Sequence, residues 1–102
     1  MDPRIAVIGI VRFPPDRVAE IRPHIRALVT ATHAHDGCIA YDVAEDLFDA
    51  GLLRFSELWP DADSLARHTT APHIAPWHAA AKACGQMEKR FHVMEVAATK
   101  TT

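Results

Sequence analysis

The stretch from Arg4 to Phe13, RIAVIGIVRF, constrains this chain more than any other. It is almost continuously apolar and rich in β-branched residues, which reads as a strand covered on both faces. Side chains alternate along a strand, so Ile5, Val7, Gly9, Val11 and Phe13 share one face and Ala6, Ile8 and Ile10 the other. Two apolar faces need two partners. A chain of 102 residues is expected to form a single domain, 1–102, with one core to offer.

Pro14-Pro15 end this strand, and Asp16 is placed to cap a helix running to about His35. Its apolar stripe is Val18, Ile21, Ile25, Leu28, Val29 and Thr32, and Pro23 within it predicts a kink. Asp36-Gly37 supplies the stop. Cys38 to Leu47 alternates as a second strand, with Ile39, Tyr41 and Val43 on one face. Asp49-Ala50-Gly51 turns the chain into a third strand, Leu52 to Trp59, where Leu53, Phe55, Glu57 and Trp59 share a face. Pro60-Asp61 opens a short helix from Ala62 to about Thr69, with Leu65, His68 and Thr69 facing inward. A further helical piece carries Ile74, Trp77, Ala81 and Cys84, and either starts at Pro76 or is irregular from Pro72. Gly85 ends it, and Gln86 to Ala98 alternates as a last strand.

The order β-α-β-β-α-β predicts an α+β, ferredoxin-like fold, an antiparallel sheet with helices on one face. Helices then cover one face of the first strand only. The other is expected to meet the same face of a second copy, giving a homodimer joined through the sheet.

Lys and Arg number 11 against 13 Asp and Glu, so no basic excess favours nucleic acid as a partner. No apolar run is long enough to span a membrane, and Met1-Asp2-Pro3-Arg4 has no secretory character. Cys38 and Cys84, far apart and in apolar company, read as reduced thiols, and a cytoplasmic protein is the expectation.

Seven histidines are many for this length. His68, His73 and His78 are spaced by five, which rotates each about 140° from the last on a regular helix and gives no metal site. His68 and His73 are instead candidates to line a cavity between sheet and helices, with His73 at a helix start as a neutral imidazole. Tyr41, Phe55 and Trp59 suit an aromatic wall, and Trp77 is the other large ring available. Glu57, a charge inside an apolar strand, either pairs with Arg54 or Arg4, faces water, or is a pocket carboxylate with a raised pKa.

Three runs together resemble the antibiotic biosynthesis monooxygenase family: Gly37-Cys38-Ile39-Ala40-Tyr41-Asp42-Val43, Phe55-Ser56-Glu57-Leu58-Trp59-Pro60-Asp61, and Leu65 to Ile74 with its H-x-x-x-P-H pattern. The resemblance covers essentially the whole chain. It implies a dimeric α+β barrel with a pocket in each subunit, and it carries Glu57, Trp59, His68 and His73 over as motif residues. Haem-degrading relatives place an Asn on the first strand, where this chain has Ile8, and a Trp where it has His68; His78 falls near their ligand histidine.

The resemblance implies a cofactor-independent monooxygenase that oxidises a small aromatic phenol or quinol with dioxygen, without metal or other cofactor. His68 and His73 are the expected catalytic residues. Tyr41, Phe55, Glu57, Trp59, Trp77 and His78 are the expected substrate-binding ones. Two alternatives stand beside it: an isomerase of a small hydroxy-ketone, indifferent to oxygen, and a non-catalytic ligand-binding dimeric module.

Overall fold

Strand β1 (Ile5–Arg12) runs through the middle of a four-stranded sheet in the order β2-β3-β1-β4. A computed structural model describes residues 1–102. In it β1 pairs antiparallel with β3 (Leu52–Trp59) on one side and β4 (Glu88–Glu95) on the other, and β2 (Ala40–Glu45) pairs with β3 at one edge. Helices α1 (Val18–His35), α2 (Ala62–Thr69) and α3 (Ile74–Ala83) complete the chain. The fold is the expected α+β, ferredoxin-like one.

The alternation along β1 sorts the core. Ile5, Val7 and Val11 are buried and join one cluster with Phe55 and Trp59 of β3 and Ile21 and Leu28 of α1. Ile8, on the opposite face, is 55% exposed. On that face Ser56 and His92 flank Ile8 across the strands, and Ala6, Ile10, Leu58 and Met94 lie one step along in the β3-β1-β4 register. The second apolar face therefore has no cover within the chain.

Local chemistry explains where expectation and structure part. Pro14-Pro15 start a helical turn earlier than expected: Pro15–Arg17 form a 3₁₀ turn and α1 begins only at Val18. Asp16 lies inside that turn and caps nothing; no side chain caps α1. Helix α1 continues through Pro23 to His35. Gly37 then takes a φ of 73°, the left-handed conformation that glycine adopts without strain.

Helix α2 has the cap its sequence promises, with the Asp61 side chain accepting from the Ser64 backbone N–H at 2.7 Å. Helix α3 begins at Ile74, earlier than Pro76, and Pro72 and His73 form the turn that precedes it. Pro76 is tolerated because the first-turn N–H groups of a helix have no intrahelical acceptor to lose. Strands β2 and β4 are shorter than the alternation suggests.

Candidate functional site

The inner face of the sheet carries Tyr41, Glu57 and Val7 side by side, because Tyr41 pairs with Glu57 and Glu57 with Val7 in register. Next to this row Phe55 pairs with Gly9, and Gly9 with Phe91. A Cβ at position 9 would overlap the Phe91 ring. Glycine there lets the ring lie over β1, where it meets Phe55 edge-on with centroids 5.2 Å apart. Helices α2 and α3 do not seal this surface. Between them and the sheet lies a cavity of about 350 Å³, floored by Val7, Phe55 and Phe91 and roofed by Leu65, Ile74 and Trp77.

His68 enters the cavity from α2, buried between Tyr41 and Trp59 with ring centroids 5.1 and 4.9 Å away. Its Nδ1 lies 2.6 Å from Asp36 Oδ2. A carboxylate oxygen only accepts, so Nδ1 carries the proton and Nε2 keeps its lone pair. Nε2 has no partner in the protein. No sealed side-chain polar atom of the molecule lacks one, so Nε2 is open to the cavity.

Asp36 holds a second imidazole on the same oxygen: His73 Nε2 donates to Oδ2 at 2.7 Å. Thr32 Oγ1 stands 3.5 Å from that nitrogen. Asp36, His68 and His73 thus form a buried cluster of the donor types that bind metals. Its spacings are those of charge-assisted hydrogen bonds, shorter than the roughly 3.3 Å between two tetrahedral ligands each at about 2.0–2.1 Å from a zinc ion.

Glu57 is 5% exposed, and burial pushes its carboxyl above the usual carboxylate range. The Trp59 indole N–H donates to Oε1 at 2.9 Å. Of the alternatives left open by the sequence, the pocket carboxylate is the one observed, since Arg54 pairs with Asp46 instead. The Tyr41 hydroxyl has no partner within the protein, and burial holds its pKa above the ordinary phenol value. At the rim, burial and the nearby Lys89 charge lower the pKa of His78.

The structure brings Tyr41, Phe55, Glu57, His68, Trp77 and His78 together around the cavity. Two expected residues stand behind its wall. Trp59 is fully buried, packed under His68 and bonded to Glu57. His73 lies behind Asp36, and reaches the cavity only through the carboxylate it shares with His68.

Asp36 is the residue that the sequence reading missed. Asp36-Gly37 reads as a helix stop, which it also is. The available signal was electrostatic: a carboxylate at the C-terminal end of a helix faces the negative end of the macrodipole and needs some other reason to be there. That reason is the pair of imidazoles from α2 and the start of α3.

Comparison with known proteins agrees with the geometry. The family model described as antibiotic biosynthesis monooxygenase matches residues 4–80. The chain is 33% identical over 75 residues to a Mycobacterium tuberculosis protein named "Putative monooxygenase Rv0793", covering 74% of this chain and 73% of that one. The solved structure of Rv0793 superposes with a TM-score of 0.82 at 27% identity, over 95% of this chain and 98% of that one. A conserved protein from Methanosarcina mazei superposes with a TM-score of 0.83 at 25% identity, over 91% and 92% of the two chains. With the family model matching most of the chain and a relative one-third identical across three-quarters of it, this protein belongs to the antibiotic biosynthesis monooxygenase family.

Proposed function

We propose that the protein is a cofactor-independent monooxygenase that oxidises a small aromatic phenol or quinol with dioxygen. One observation carries the reading: a histidine held by a buried carboxylate, with its free nitrogen open to an aromatic-walled cavity. Asp36 fixes the His68 tautomer and steadies the imidazolium that forms when Nε2 takes the phenolic proton. Base catalysis of this kind contributes roughly 10²–10⁴-fold.

The phenolate is electron-rich and reacts with dioxygen at a ring carbon. The sum is phenol plus dioxygen to quinone plus water, so one oxygen atom enters the ring and the other leaves as water. All electrons come from the substrate. Glu57, which holds its proton more readily than a free glutamate, is placed in the same cavity to supply a proton to the departing oxygen. Phe55, Phe91 and Trp77 hold the ring and keep water away.

The uncovered sheet face supports a homodimer. Ile8 at 55% and Met94 at 38% exposure form, with Ala6, Ile10 and Leu58, an apolar patch interrupted by Ser56 and His92, and a second copy would cover it at about 25 cal/mol per Å² of apolar surface removed from water.

Oxygen uptake over a panel of naphthols and naphthohydroquinones tests the reaction. The expected result is turnover in air and none under argon. Equal turnover in both would favour the isomerase alternative, and ligand stabilisation without any turnover would favour a binding module.

A further inference from the structure

The cavity opens over the edge strand β4, where the lining changes character. His78 and Lys82 of α3, Gln86 of the following turn and Lys89 of β4 enclose a second volume of about 260 Å³. It shares His78, Gln86 and Lys89 with the aromatic chamber, so the two are continuous. No carboxylate lines this vestibule. Neither lysine takes part in any salt bridge of the chain. Lys89 Nζ stands 5.9 Å from the Phe91 ring centroid, at the border between aromatic floor and cationic mouth.

The reacting end lies elsewhere. Glu57 is on β3, two strands from Lys89, and its row meets β4 at Val93, four residues along from Lys89. That places the mouth on the order of 10 Å across the sheet and about 13 Å along it from the Glu57 row.

We infer that the vestibule formed by Lys82 and Lys89 binds an anionic group of the substrate, so that the substrate class is an elongated hydroxyaryl carboxylate whose acid is remote from its hydroxyl. This rests on the reading of the cavity as the site of an aromatic substrate. The carboxylate would stay at the mouth, near two unpaired ammonium groups, while the apolar rings occupy the chamber and the hydroxyl reaches His68. The opposite orientation would bury the anion in the apolar chamber, away from both lysines, which loss of hydration disfavours.

The test compares two probes by titration calorimetry: a hydroxynaphthoate with hydroxyl and carboxylate at opposite ends of the ring pair, and the corresponding naphthol. The expected result is at least about fivefold tighter binding of the hydroxynaphthoate at low salt, the size of one ion pair in a wet site. The ratio should shrink in high salt and collapse towards one in the Lys82→Gln/Lys89→Gln double variant. A ratio near one in the unaltered protein, or one that survives in the double variant, would overturn the inference and leave the monooxygenase reading standing. Failure of both probes to bind would overturn the two together.

Discussion

Asp36 Oδ2 lies 2.6 Å from His68 Nδ1 and 2.7 Å from His73 Nε2, so one buried carboxylate oxygen holds two imidazoles from different segments. Only His68 reaches the cavity. An Asp36→Asn protein can turn its amide N–H₂ towards His68 and force the other tautomer, which would put a proton on Nε2 and remove the base. We expect oxygen uptake to fall by about 10²–10⁴-fold with the far-ultraviolet circular dichroism unchanged. Full activity in Asp36→Asn would show that the carboxylate does not set the base.

His68→Ala and His73→Ala should differ. His68 touches the cavity contents, whereas His73 acts only by steadying Asp36. The loss in kcat should therefore be larger for His68→Ala, and His73→Asn, which keeps a donor near Asp36, should recover part of the loss. Equal loss in both alanine variants would place His73 in contact with substrate.

Gly9→Ala should destabilise the fold by about 1–3 kcal/mol, the usual cost of overpacking, since the new methyl overlaps the Phe91 ring. The ring must then move off β1, where it floors the cavity. Urea unfolding measures the first effect. A Phe91→Leu background should relieve part of it, and an unaltered midpoint in Gly9→Ala would contradict the packing.

Burial raises the Glu57 carboxyl above the 4.5 of a free side chain. Between that value and the higher one in the folded protein, the folded state keeps a proton that the unfolded chain has released. Stability from this group is thus full below 4.5 and is lost as pH rises through the folded pKa. Glu57→Gln removes this contribution, so its stability should decline less with rising pH than that of the unaltered protein. Urea midpoints across this range check it, and parallel curves would contradict the assignment.

Ile8→Lys places a charge in the centre of the uncovered sheet face. Light scattering after size exclusion should give a dimer for the unaltered protein and a monomer for Ile8→Lys. A monomer before substitution would remove the sheet-to-sheet arrangement.

Much of the fold was legible because its signals are local. β3 matched to the residue, bounded by Gly51 and Pro60, and α2 followed from Pro60-Asp61 and its cap. The two-sided apolar pattern of β1 was legible too, and its outer face is the uncovered one. The start of α3 was not, because prolines at 72 and 76 carry conflicting signals that only the first-turn geometry resolves. The site was half legible. Strand parity put Tyr41, Phe55 and Glu57 on the cavity side, but parity cannot tell depth, so Trp59, on the same side, lies beneath the wall. Asp36 was hidden for another reason: its partners lie 32 and 37 residues away, and the contact exists only once α1, α2 and α3 are packed.

The central claim is that His68, oriented by Asp36, starts the transfer of one oxygen atom from dioxygen to an aromatic ring. Turnover of the phenol panel under isotopically labelled dioxygen, followed by mass spectrometry, tests it most directly. The account predicts one labelled atom in the quinone product and none of this product from His68→Ala. An unlabelled product, or undiminished turnover by His68→Ala, would contradict it.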